Sequence, residues 1–221
     1  MTPRQEYLTQ LSLLQEELLR MAAAASDAVK EALQALENRD KEACRAVCAG
    51  DRDIDAMERS IEHRCLTMLL RQQPVAKDLR QVSAALKMIT DLERIGDAAA
   101  DIAGIALRLA DVPHLTAEID PLKALAAPAR RMVEDAITAY VNGDLGLARA
   151  TIALDDEVDD GFNALKHALA QRMPMADEDL DLMFDLLMIA KYLERVGDHA
   201  VNLCEWAEFC KTGVHKDSLI V

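Results

Sequence analysis

A chain of 221 residues is long enough for one or two domains with a sizeable core. Apolar residues make up 51% of it but aromatics only 3%, so Ala, Leu and Met must fill the interior, which suits closely packed helices better than a β-sandwich. A net charge of −14 argues against nucleic acid and anionic membrane as partners, since both recruit basic patches, and leaves metal cations and basic protein surfaces open.

From Tyr7 to Leu36 the apolar residues recur at three and four: Leu11, Leu14, Leu18, Met21, Ala25, Ala28, Val29, Ala32 and Leu36. The spacing predicts one amphipathic helix of roughly 30 residues, near 45 Å long. Asp40 caps a second helix from Lys41 to Arg71, with Gly50 a weak spot in its middle. Gln72-Gln73-Pro74 stops that helix, and Asp78 caps a third that ends before Asp111-Val112-Pro113-His114. A fourth helix covers Leu122 to Val141, with Pro128 near its start or at a kink. Asn142-Gly143-Asp144 turns the chain into a fifth helix ending at Gln171, Met173-Pro174 stops it, and a sixth runs from Glu178 to Lys211. The tail to Val221 is expected to be loose.

The second half repeats the first. Asn38-Arg39-Asp40 recurs as Asn142-Gly143-Asp144 at an offset of 104, and Asp51 and Asp55 recur as Asp155 and Asp159. Beyond the proline turns the offset is 101, carrying Leu92-Glu93-Arg94-Ile95-Gly96-Asp97 onto Leu193-Glu194-Arg195-Val196-Gly197-Asp198. The fold class expected is all-α: two tandem, sequence-related three-helix bundles of six long antiparallel helices, residues 1–112 and 113–221.

Each repeat carries two acidic pairs at i, i+4, which share a helical face. Asp51 and Asp55 precede the turn at Pro74, Glu93 and Asp97 follow it, and Asp55 and Glu93 each stand 19 residues from that proline. On adjacent antiparallel helices they lie at one height. With a reversal near Ala176, Asp155 and Asp159 face Glu194 and Asp198 in the same way. Asp101 and Asn202 extend the stripes. Two four-carboxylate clusters result, and like charges at such distance call for a cation. All-oxygen donors favour hard ions, Mg²⁺, Mn²⁺, Ca²⁺ or iron. Charged pairs at this spacing also line ordinary solvated helix faces, so each pair alone is compatible with that plainer role. Arg94 and Arg195, about 100° round the helix, are expected to point away from the stripe. His63, His167 and His199 are read as packed or surface residues, and Cys44 and Cys48 as small apolar ones.

Five irregularly spaced cysteines fit a reducing cytoplasm, Met1-Thr2-Pro3-Arg4 lacks the apolar core of a secretory signal, and no run of about 18 apolar residues occurs. Di-iron oxidases on helical bundles use Glu-x-x-His pairs, and none falls at these motifs.

The paired Leu-Glu-Arg-(Ile/Val)-Gly-Asp motifs, with Arg71-Gln72-Gln73-Pro74, Asp78-Leu79-Arg80 and Asn202-Leu203-Cys204-Glu205, resemble the signature of the PhoU family of bacterial phosphate-transport accessory proteins. The resemblance spans residues 5 to 212. Asp101 where many members have Asn, the second Gln before Pro74 and Asp181 opposite Arg80 depart from the pattern. The resemblance implies a cytoplasmic, often dimeric, non-enzymatic negative regulator of the phosphate-starvation response. Its partners would be a phosphate ABC transporter ATPase and a sensor histidine kinase, with peripheral membrane contact left open. It further implies metal, iron, Mn or Mg in multinuclear clusters, on Asp51, Asp55, Glu93, Asp97, Asp155, Asp159, Glu194 and Asp198. A metal-free helical adaptor, or a carboxylate-bridged metal hydrolase, are the alternatives.

Overall fold

The computed structural model describes residues 3–112, 116–172, 180–216 and 218–219. Helix α1 spans Pro3–Asn38, α2 Lys41–Gln72, α3 Lys77–Leu109 and α4 Thr116–Asn142. The fifth predicted helix is split into α5, Leu145–Ile152, and α6, Asp155–Arg172, and α7 runs over Leu180–Thr212. The expected stops at Pro113-His114 and Met173-Pro174, the reversal near Ala176 and the start at Glu178 lie outside the described residues.

The ends follow local chemistry. Asp40 has extended backbone, and its carboxylate accepts the Glu42 and Ala43 amides at 3.0 Å; Asp144 does the same for Leu147 at 3.0 Å. The residue before each cap is left-handed: Arg39 at φ 55° and Gly143 at φ 62°. Glycine adopts that conformation at the second turn without strain, and a Cβ there would also push the Lys211 side chain aside, its Cε standing 2.2 Å away. Asp78 does not cap α3. Ala76 holds that position without a side-chain bond, while the Asp78 carboxylate pairs with Arg4 and its carbonyl accepts from the Tyr7 hydroxyl at 3.1 Å.

Gly50 leaves α2 unbroken; its repeat-equivalent, Leu154, is where the other copy breaks. There the Leu154 amide bonds to the Thr151 carbonyl at 3.0 Å and Glu157 to Leu154 at 3.0 Å, a tightened turn. Asp155, Asp156 and Glu157 occupy the first turn of α6, where the helix dipole favours negative charge. Three acids in a row thus favour a new helix start, and Gly50 in the other copy has no such successor.

Within the first repeat α1, α2 and α3 pack on one another; α4, α5, α6 and α7 do so in the second. The repeats join through α1 against α4 and α3 against α7, so one hydrophobic core runs through both. Alanines 84, 85, 98, 99, 103 and 106 of α3 are buried, which lets neighbouring helices approach closely. Leu92, Ile95 and Ile102 on α3, with Leu193, Val196 and Leu203 on α7, are fully buried, and each contributes roughly 1.5–3 kcal/mol of burial. Helix α3 runs antiparallel to α7: Asp91 meets His199 and Asn202, and Arg108 meets Asp185. Across α1 and α4, Ser26 donates to Glu134 at 2.8 Å and Lys123 to Glu37 at 2.9 Å.

The tail is not loose over its described part. Val214–His215 and Ser218–Leu219 form a two-stranded hairpin; His215 stacks on Trp206 with centroids 3.8 Å apart, and Lys216 reaches Glu205 and Asn202, each at 3.2 Å. Replacing Asp40 by Ala strands two amides at the start of α2 and should cost about 1 kcal/mol of unfolding free energy. Urea denaturation measures it, and an unchanged midpoint would contradict the capping role.

Candidate metal centres

The acidic stripes lie where an outer helix packs on a central one, α2 on α3 and α6 on α7. Gly96 and Gly197 set the closeness of approach. A Cβ on Gly96 would stand 2.9 Å from Ile54 Cδ1 and 3.5 Å from Asp51 Oδ1. One on Gly197 would stand 3.0 Å from Asp155 Oδ1 and 3.2 Å from Val158 Cγ1. The first carboxylate of each outer helix therefore rests against a glycine of the central helix.

The antiparallel register brings the four carboxylates of each copy into one neighbourhood. In the first, burial raises Asp51 above the ordinary carboxylate range, and Asp97, Asp55 and Asp101 raise it further. Burial raises Glu93 as well, followed by Asp97, with Arg94 opposing and Glu58 and Asp55 adding. In the second, Asp155 is pushed up to about 6, by burial first and then by Asp159, Asp198 and Glu194. It rises although a helix start favours the ionised form, so desolvation and like charge outweigh the dipole.

The two stripe extensions behave differently from the rest. Asp101 is exposed and lies close enough to Tyr192 to raise its hydroxyl further above the level set by burial, while Asn202 donates to Asp91 at 3.2 Å and so leaves its stripe for the α3–α7 seam. These contacts are one contact seen twice, because Asp91 is the repeat-equivalent of Tyr192 and Asp101 that of Asn202. His199 Nδ1 lies 2.9 Å from Asp91, and His63 and His167 are exposed. Cys44 is buried, and Cys48 donates weakly to the Ala100 carbonyl at 3.5 Å.

Of the two motif arginines, Arg94 departs from expectation and Arg195 does not. Arg94 folds back over its own motif, 2.9 Å from Asp97 and 3.4 Å from Glu93, whereas Arg195 lies over the Tyr192 ring at 5.9 Å. Arg59 stands 3.5 Å from Asp55, and Lys191 pairs with Glu194. With carboxylates turned to these cations, no three His, Cys, Asp or Glu side chains among the described residues converge on one ion-sized point. Yet Asp51 Oδ1 and Glu93 Oε2 are buried without a hydrogen-bond donor. Anionic oxygens in that state, beside a glycine cradle, form a donor set that fits a hard cation. Sequence reasoning missed Glu58, Phe162 and Lys191; i, i+3 spacing from Asp55, Asp159 and Glu194 was the available signal.

The folded metal-free chain holds the Asp155 proton up to about 6, whereas an unfolded Asp loses it near pH 4. Between these values the folded state binds more protons, so this group's contribution to stability falls as pH rises through the window. Melting curves in chelator from pH 4 to 7 should show that decline in wild type and less of it in Asp155→Asn. Identical slopes would contradict the assignment.

A family model described as the PhoU domain matches residues 18–106 and 122–207, one match per repeat. The chain is 32% identical over 215 residues to a phosphate-specific transport system accessory protein PhoU homolog of Clostridium acetobutylicum, covering 97% of this chain and 98% of that one. It is 36% identical over 214 residues to the homolog of Caulobacter vibrioides, covering 94% and 90%. The crystal structure of PhoU from Pseudomonas aeruginosa superposes with a TM-score of 0.86 at 29% identity, over 94% of this chain and all of that one. For the phosphate transport system regulatory protein PhoU of Streptococcus pneumoniae the TM-score is 0.87 at 26% identity, over 97% and 99%. With both repeats matched and relatives aligned over more than nine-tenths of its length, the chain belongs to the PhoU family.

Proposed function

We propose that this protein is a cytoplasmic, non-enzymatic regulator of phosphate transport that binds hard metal ions at its two carboxylate clusters and restrains the phosphate-starvation response. The observation that carries the metal part is the pair of buried, donorless oxygens, Asp51 Oδ1 on α2 and Glu93 Oε2 on α3. Asp51, Asp55, Glu93 and Asp97 would hold metal in one cluster, and Asp155, Asp159, Glu194 and Asp198 in the other. Asp101 stands at the edge of the first; Asn202, drawn to Asp91, drops out of the second. A bound cation supplies positive charge that a surface of net charge −14 otherwise lacks for meeting phosphate groups or acidic partner surfaces. The chain's own side chains fix where that charge appears and tie each outer helix to its central one.

The regulatory part rests on the family. Relatives matched over nearly their whole length are named as phosphate-specific transport system accessory proteins. The partners proposed for that role are the transporter's ATPase and a sensor histidine kinase. Among the described residues no helix is long and apolar enough to cross a membrane. A homodimer is part of the proposal.

Replacing Glu93 and Asp97 together by Ala should remove one cluster's metal while the helices stay folded, since relief of like-charge repulsion offsets the lost contacts. Elemental analysis of untagged protein, with circular dichroism, reads both. Unfolding of the variant, or metal content equal to wild type, would overturn the assignment. Deleting the gene should derepress phosphate-responsive genes in high phosphate; unchanged expression would count against the regulatory role.

A further inference from the structure

We infer that the two carboxylate clusters are unequal cation sites: the α2–α3 cluster, with Glu58 as a fifth carboxylate, takes up a hard divalent ion first, while the Lys191 ammonium occupies the ion's place in the α6–α7 cluster. This rests on the metal-binding reading above and adds an order of loading with its cause.

The clearest contrast is between two equivalent atoms. Glu93 Oε2 is buried with no hydrogen-bond donor, and Arg94 Nε, 3.4 Å away, is not aligned to supply one. Glu194 Oε2, its counterpart 101 positions on, accepts from Lys191 Nζ. The equivalent of Lys191 in the first repeat is Thr90, which has no ammonium to offer. Glu194 is the more enclosed partner, 13% exposed against 44% for Lys191, so the ammonium reaches the Glu194 carboxylate from the solvent side. The ammonium also stands over the Phe162 ring, 5.5 Å from its centroid, with Lys166 Nζ 5.3 Å from the same ring.

Phe162 in turn replaces a carboxylate. Its equivalent in the first repeat is Glu58, partly buried beside Asp55 and close enough for Glu93 to sense its charge. The first cluster thus gains an anionic oxygen donor where the second gains an aromatic platform for a lysine. Arg59 and Arg94 do serve the first cluster, but both are more than half exposed, and the buried oxygens of Asp51 and Glu93 remain without a donor. An entering ion meets open oxygens on Asp51 and Glu93 in the first site, where the Arg94 hydrogen bond engages Asp97 instead, and in the second must displace the charge-assisted hydrogen bond on Glu194, the counterpart of Glu93.

Mn²⁺ titration of the full chain, read by the electron paramagnetic resonance of free Mn²⁺, tests this. Wild type should show two classes of site, about tenfold or more apart, the scale of one charge-assisted hydrogen bond. Asp51→Asn with Glu93→Gln should abolish the tight class, and Asp155→Asn with Glu194→Gln the weak one. Lys191→Thr should tighten the weak class, and Glu58→Gln should weaken the tight one. Two equal classes in wild type, or a Lys191→Thr variant with an unchanged weak class, overturn the ranking while leaving metal binding intact. Absence of Mn²⁺ binding in every protein overturns the metal reading itself, and the ranking with it. The wild-type isotherm requires no variant to fold.

Discussion

Close packing of an outer helix on a central one forces like charges together. Ile54 of α2 and Val158 of α6 seat against Gly96 and Gly197, and the apolar seating carries Asp51 and Asp155 to the same glycines. Every carboxylate of the two stripes is then held by a framework whose stability comes from elsewhere, from Leu92, Ile95, Leu193 and Val196 in the core beneath. The electrostatic cost appears in the raised proton affinities of Asp51, Glu93 and Asp155. On the proposed reading, a cation bound at either place would relieve that cost.

The duplication also explains how the repeats fit together. Asp101 with Tyr192 and Asp91 with Asn202 are equivalent contacts that cross the α3–α7 seam in opposite senses. A residue of the motif stripe in one repeat thereby anchors the other repeat, which couples the outer carboxylate faces through one shared core. The copies have diverged at the edge of the core. Glu58 against Phe162 and Thr90 against Lys191 alter the charge of the faces, and Phe162 also packs against the buried apolar set.

Much of this was legible in the sequence because it is periodic. Apolar spacing predicts the long helices, the recurrence of Asn38-Arg39-Asp40 exposes the repeat, and counting from Pro74 aligns Asp55 with Glu93. What was not legible depends on contacts between distant segments. Asn202 has the spacing of the stripe, yet Asp91, 111 positions away, draws its amide. The break before α6 falls at the equivalent of Gly50 rather than at Gly50, because three consecutive acids favour a helix start there. Asp78 resembles a cap, but Arg4 and Tyr7 of α1 use it as a docking point. The hairpin after α7 depends on the pairing of His215 with Trp206, a contact no local periodicity announces.

The central claim is that the packed carboxylate faces are cation sites. Crystals grown with Mn²⁺ and measured at its absorption edge test it most directly. The account predicts anomalous density between α2 and α3, beside Asp51 and Glu93, and at higher Mn²⁺ between α6 and α7, beside Asp155 and Glu194. Crystals that show no anomalous density at either face, or show it only at unrelated surface carboxylates, would contradict it.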